Sequence, residues 1–293
     1  MKKENKRLES KSSMTAAFTC MIRAYSNNHK SVYYHSDDFL AMKLLPKPLY
    51  WMIKLGLYKP IFGLFTPKGI IEYVVVRTKY IDTMYKDAIK DGIEQVVIMG
   101  AGFDTRGIRL YNHSVKVFEL DAPTTQDAKL KQYSERGIDT NNNLLFIPID
   151  FIKEDPKEKL LQGGFDKKKK SLFIFEGVLM YLNQEAVDAS FNMLSNVCAK
   201  GSRIFFDVTY KEVIEKTESY YGDKSIYSKV EKQGEKWTFG MNFDKVDEYL
   251  GKYGFEVIEK MSTIDLVKRY FERDGKPITK MNATHFIVSA EKK

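Results

Sequence analysis

Residues 95–106 read QVVIMGAGFDTR, an apolar run that stops abruptly in glycine. Gln95 to Met99 is short and rich in β-branched side chains, the pattern of a buried strand. Gly100-Ala101-Gly102 breaks it at once. Glycine permits both a tight turn and the close approach of a ligand to the backbone. Moving outward, VKVF at 115–118 reads as a second strand that runs into Glu119-Leu120-Asp121. Asp121 lies nineteen positions after Gly102. An acidic residue about 20 positions past such a turn suits a ribose diol in a Rossmann-like unit.

The turn does not fit a dinucleotide. The G-x-G-x-x-G pattern requires glycine where this chain has Thr105. Asp104 also puts negative charge where a pyrophosphate needs positive. A cationic nucleoside fits better, and S-adenosylmethionine is the obvious one. The GAG turn alone is equally compatible with an ordinary strand–turn of any α/β protein, so the downstream carboxylates decide. In open α/β sheets, ligands bind past the carboxyl ends of the strands. Gly100 and Gly102 end the first predicted strand and Asp121 the second. Asp150, followed by Phe151, ends the third, and Glu176 ends the fourth. A carboxylate after the third strand can accept from an adenine amino group, and Phe151 can cover the ring.

Further strands are expected at 144–149, 171–176, 202–208, 254–260 and 284–290, with helices near 124–136, 184–199 and 243–253. Residues 14–50 read as helical with a loop around 27–29, and 69–91 as one long helix. This alternation argues for a parallel sheet with helices on both faces. Three segments follow: a disordered tail at 1–13, a helical N-terminal lid at 14–92, and a Rossmann-like core at 93–293. Residues 210–240, without strong periodicity, form an insertion in that core.

The 293 residues, 43% hydrophobic and 13% aromatic, suffice for a packed core. Cys20 and Cys198 form no disulfide framework or metal-ligand cluster and read as buried thiols. The N-terminal stretch lacks the apolar core of a signal peptide, and no apolar run is long enough to span a membrane. A cytoplasmic protein with no metal is expected. The net charge is +8, from 47 basic and 39 acidic residues. The basic residues are scattered, and the run Lys167-Lys168-Lys169-Lys170 reads as a solvated loop. Without a basic-aromatic stripe, nucleic acid is disfavoured as a partner.

The chain resembles the leucine carboxyl methyltransferase family from about Met14 to its end. The resemblance rests on EYVVVRTKYID, VVIMGAGFDTRGIRL, VFELDAPTTQDAK, FIPIDF, FIFEGVLMYLNQEAV and KWTFGMNFDKVDEYLGKYGFEV, in that order. It implies a class I methyltransferase fold, a seven-stranded mostly parallel sheet whose last strand runs antiparallel. It also implies S-adenosyl-L-methionine as cofactor and a substrate-covering role for the insertion. Asp121 is then given the ribose, Asp150 and Phe151 the adenine, and Glu176 the neighbourhood of the methionine portion. Arg77, otherwise readable as a solvated helix arginine, is given the methionine carboxylate, which a planar guanidinium can grip with two bonds. The carboxyl methyltransferases proper have a lysine in the N-terminal segment. Here the neighbourhood reads Tyr34-His35-Ser36-Asp37, with His35 as a stand-in candidate.

Other residues allow two readings. Asp104 could orient the glycine loop or cap the following helix. Arg106 could bind a substrate carboxylate or pair with Asp104 or Glu119. Tyr181 is the catalytic candidate facing the reaction centre, or a core tyrosine. Trp237, Phe239 and Gly240 could line the substrate pocket or pack the insertion, and His113 and His285 read as structural. A carboxylate acceptor needs no base, whereas a phenol with a pKa of about 10 would benefit from one. With no histidine in an evident base position, the sequence favours a carboxylate or an already acidic hydroxyl as acceptor, and the leading reading is an O-methyltransferase acting on a small molecule or a carboxylate. A nucleic-acid methyltransferase and a non-catalytic regulatory protein on the same fold are the alternatives.

Overall fold

A computed structural model describes residues 14–57, 66–226 and 237–293. The first strand, β1 (Gln95–Met99), is buried at every position. Its alternating side chains explain why. Val96 and Ile98 enter one apolar cluster with Val74, Ile81 and Tyr85 of a long helix. Val97 and Met99 enter a second with Phe191 and Leu194. The period-2 alternation of a strand thus feeds two helical layers, and both sheet faces are covered.

Six more strands complete the sheet: β2 (Lys116–Asp121), β3 (Leu144–Pro148), β4 (Ser171–Phe175), β5 (Arg203–Thr209), β6 (Phe255–Met261) and β7 (His285–Lys292). Their order is β3-β2-β1-β4-β5-β7-β6. Strands β1 to β5 pair in parallel, and β7 runs antiparallel to both β5 and β6. The order reverses between β1 and β4, so their carboxyl ends form the switch point at which such sheets bind ligands. Gly100 and Glu176 stand at those two ends.

The helices that matter for the site are α1 (Met14–Asn27), α2 (Lys47–Lys54) and α3 (Ile70–Lys90), the short α4 (Arg106–Arg109), α5 (Pro123–Glu135) and α6 (Pro156–Gln162), and α7 (Gln184–Val197) against the other face. The expectation of helix through 14–50 fails between α1 and α2, where only Ala41–Leu44 forms a 3-10 turn. Side-chain bonds hold that stretch in turns instead. Ser26 Oγ donates to Tyr34 O (2.5 Å), and Asn27 Nδ2 donates to Ser36 O (2.9 Å). Asp38 Oδ1 accepts from Ala41 N (3.1 Å). The helix expected at 243–253 also divides, into a 3-10 turn Phe243–Lys245 and a helix Val246–Gly251. Lysines 167–170 are exposed. Cys20 and Cys198 are free and buried, and burial pushes each thiol up to about 12. No helix among the described residues is long and apolar enough to cross a membrane. The expected tail at 1–13 and part of the expected insertion lie outside the described residues.

Candidate active site

The glycine turn adopts the geometry its composition suggested. Gly100 and Gly102 have φ of +63° and +51°, conformations that side chains rarely adopt. A Cβ on Gly102 would come within 2.9 Å of Ala16 Cβ on α1, so the N-terminal helix lies directly against the turn. The same position on Gly100 would meet Val178 Cγ2 at 2.9 Å.

Asp121 closes the turn from β2. Its carboxylate accepts from Gly102 N and from Ala122 N (2.6 Å). Burial raises its pKa against those two hydrogen bonds and the nearby Lys129, and among the described residues no cation forms an ion pair with it. A carboxylate held by two amides keeps lone pairs for further donors. Asp150 lies two residues beyond β3 rather than on it. Its carboxylate accepts from Ile152 N (3.0 Å) and Lys153 Nζ (2.6 Å) within its own loop, and Phe151 beside it is 41% exposed.

Behind the turn lies a chain of buried ion pairs that the sequence did not reveal. Arg106, 2% exposed, contacts Asp82 (2.8 Å), Asp104 (2.5 Å) and Glu176 (2.6 Å). Arg77 Nη1 donates to Asp207 Oδ2 (2.5 Å), and its Nε stands 3.0 Å from Glu176 Oε1. Arg109 joins Asp82 (2.6 Å) to Asp38 (3.6 Å). Arg23 binds Asp38 (2.8 Å) and donates to Phe103 O of the glycine loop (2.6 Å). Burial alone would raise the Asp104 and Glu176 carboxyls. The adjacent arginines outweigh it, holding Asp104 at about 2 and Glu176 below its ordinary value.

These contacts settle several open readings. Arg77 is buried rather than solvated. Arg106 pairs with Asp104 and not with Glu119, which binds Lys129 instead. Asp104 Oδ1 also accepts from Arg106 N (2.7 Å), at the start of α4. His35 is exposed and stands 3.6 Å from Asp37. Tyr181 is half-buried in a 3-10 turn just past Glu176. Thr238 N and Phe239 N donate to Met180 O (2.8 and 3.3 Å), so the end of the expected insertion is fastened to that turn.

Asp38, Asp82 and Asp207 were not singled out in the sequence. Their arginine partners lie 15 to 130 positions away, so no short spacing signals them.

The donor set fits S-adenosyl-L-methionine. Asp121 offers acceptors for a ribose diol. Among the described residues the buried network holds five carboxylates (Asp38, Asp82, Asp104, Glu176, Asp207) against four arginines (Arg23, Arg77, Arg106, Arg109), one formal negative charge in excess. Such a surplus beside a glycine turn favours a cationic ligand over a phosphate. Arg77 Nη2 makes no hydrogen bond among the described residues.

Known proteins agree. The model of the leucine carboxyl methyltransferase family matches residues 16–195. A protein of Mycolicibacterium paratuberculosis with the provisional name S-adenosyl-L-methionine-dependent methyltransferase is 28% identical over 219 residues, 70% of this chain and 68% of the relative. One from Mycobacterium avium with the same provisional name is 29% identical over 203 residues, 65% of this chain and 64% of its own. Among solved structures, a provisionally named methyltransferase from Thermobifida fusca matches with a TM-score of 0.56 at 14% identity, covering 96% of this chain and 98% of that one. The match shows the shared fold. The chain belongs to the leucine carboxyl methyltransferase family, and it is an S-adenosyl-L-methionine-dependent methyltransferase with a Rossmann-like class I fold.

Proposed function

We propose that the protein methylates an oxygen of a small molecule or a carboxylate. The convergence of Gly100, Gly102, Asp121, Glu176 and Arg77 on one sheet edge carries this reading. In it, Asp121 holds the ribose hydroxyls, Asp150 accepts from the adenine amino group, and Phe151 covers the ring. Glu176 accepts from the ammonium of the methionine portion, and Arg77 Nη2 donates to its carboxylate. The bound cofactor supplies a methyl group on a positively charged sulfur. The chain then needs only to align an acceptor oxygen and exclude water, and alignment alone can supply about 7–11 kcal/mol. Tyr181 borders the acceptor. Residues 14–92 form a lid over the core at 93–293, and the segment at 210–240 covers the substrate. The Arg23 and Arg77 contacts with the core support the lid. The free, buried cysteines are consistent with a reducing cytoplasm.

Calorimetry tests the cofactor assignment. S-adenosylmethionine and S-adenosylhomocysteine should bind and NAD should not. Arg77→Lys keeps the charge but loses the planar fork, so it should weaken binding of S-adenosylmethionine more than of its decarboxylated analogue. Tight NAD binding, or equal losses for both ligands, refutes these roles.

A further inference from the structure

A buried imidazole stands at the same sheet edge and has one nitrogen with no hydrogen bond among the described residues. His285 opens β7 opposite Thr209, the last residue of β5, and is 3% exposed. Its ring stacks on Tyr73 (centroids 4.9 Å apart, planes at 26°) and meets Trp237 edge-on (4.9 Å, 85°). Tyr73 OH donates to Asp207 Oδ2 (3.0 Å), the carboxylate that holds Arg77. Asp207 Oδ1 accepts from Gly177 N (2.6 Å), next to Glu176. His285 therefore adjoins the methionine end of the proposed cofactor site.

The hydrogen-bond chain around His285 sets its tautomer. Asn282 Oδ1 accepts from Thr284 N (3.1 Å) and Asn282 Nδ2 donates to Lys68 O (3.2 Å), which orients the carboxamide. An amide oxygen can only accept, so the Thr284 hydroxyl gives its one proton to Asn282 Oδ1 at 2.5 Å. The 2.8 Å contact between Thr284 Oγ1 and His285 Nδ1 must then be donated by the ring. A neutral imidazole carries one N–H, so Nε2 keeps a bare lone pair. Nε2 makes no hydrogen bond among the described residues. Burial lowers the ring's pKa to about 4, so it is neutral at neutral pH. The titratable and charged groups that face it are Tyr73 and Arg77 from α3 and Asp207 from β5; Trp237, Thr263 and Thr284 add none.

We propose that His285 Nε2 binds and deprotonates the hydroxyl of a phenol or enol methyl acceptor. This rests on the methyltransferase reading and narrows it. An ionised carboxylate has no proton to give and would set its lone pairs against that of Nε2, whereas a hydroxyl satisfies it. As the acceptor oxygen's lone pair forms the new O–C bond, the electron pair of the breaking C–S bond returns to sulfur and the hydroxyl proton passes to Nε2. The resulting imidazolium faces the Asp207 carboxylate and later releases its proton to water. A weak base suffices, because the hydroxyl becomes strongly acidic as its oxygen gains the methyl group.

His285→Asn keeps a side-chain N–H for Thr284 and deletes Nε2. With phenol as acceptor the variant should lose about a hundredfold or more in kcat. With 4-nitrophenol, largely ionised in mildly alkaline buffer, the loss should be much smaller, and benzoate should be a poor acceptor for the wild type. Independently of turnover, 15N NMR of the wild-type imidazole should show Nδ1 protonated and Nε2 bare. Phenol added to the S-adenosylhomocysteine-bound protein should shift Nε2. An Nε2–H tautomer, an Nε2 signal unmoved by both phenols, equal losses on the two phenols, or methylation of benzoate alone overturns the proposal. Calorimetry on the same samples separates the two readings. Absent cofactor binding sinks the cofactor assignment, while normal cofactor binding with an unresponsive Nε2 sinks only the role of His285.

Discussion

Burial acts on Asp121 and His285 in the same sense, disfavouring the charged form, yet the two side chains answer it differently. Asp121 is raised by burial and held by the amides of Gly102 and Ala122. Hydroxyl donors from a ribose would stabilise its carboxylate further, with charge-assisted bonds of about 1.5–3 kcal/mol each. Asp121→Ala should weaken cofactor binding about tenfold or more in a folded protein; an unchanged dissociation constant removes Asp121 from the site. At His285 burial outweighs the nearby Asp207 carboxylate, and the ring stays neutral. An unfolded histidine titrates near its ordinary value of 6.5 and the folded one at about 4, so the unfolded chain binds more protons between those values. The stability contributed by the neutral ring is therefore complete above pH 6.5 and is lost as the pH falls toward 4. The loss is on the order of 3 kcal/mol at about 1.4 kcal/mol per pH unit. Urea unfolding of wild type and His285→Asn at pH 7.5 and 4.5 should show the wild type losing more. Parallel losses would mean that another group carries the acid limb. Asp121 was legible because its spacing from the glycine turn is local. His285 was not, because its neighbours Tyr73, Asp207 and Trp237 meet it only through the tertiary fold.

At the scale of elements, the decisive contact is α1 against the glycine turn. Gly102 serves two purposes there: its φ of +51° shapes the turn, and its missing Cβ admits Ala16. Gly102→Ala adds left-handed strain of about 1–3 kcal/mol and a 2.9 Å contact with Ala16 Cβ, so α1 must move. Limited proteolysis should cut α1 faster in this variant, and cofactor affinity should fall. Ala16→Gly in the same chain relieves the contact but not the strain, so it should restore part of the protection. No restoration would show that backbone strain alone is responsible. The strands and long helices matched their sequence patterns to within a few residues, because alternation and helical spacing are properties of neighbouring positions. The stretch between α1 and α2 did not, since side-chain bonds from Ser26, Asn27 and Asp38 override its helical composition.

Across the whole molecule, the buried ion-pair chain joins the N-terminal helices to the sheet edge. Arg106 is its centre, contacting α3 through Asp82 and the β4 end through Glu176. Arg106→Leu leaves three carboxylates without their shared cation, and breaking a buried pair costs about 3–5 kcal/mol. Denaturant unfolding should show that loss, together with earlier exposure of α1 and α3 than of the sheet. A loss below 1 kcal/mol would make the network incidental to how the two parts hold together. The sequence around Arg106 is compatible with either a ligand contact or an internal pair. The fold assigns it three internal carboxylates, and only the three-dimensional arrangement could decide among them.

The amino-acid sequence by itself determined the sheet, the glycine turn and the carboxylate that ends β2. Strand periodicity, turn chemistry and short spacings are written in adjacent residues. It also placed Glu176 at the end of β4, because a parallel sheet puts every strand's last residue on one edge. Tertiary structure alone decided what surrounds those residues. Arg77 meets Asp207 across 130 positions, Arg23 reaches Phe103 across 80, and Tyr73 stacks on His285 from the far end of the chain. Such pairings depend on how helices dock on the sheet, and docking is set by shape and burial over the whole core rather than by any local pattern.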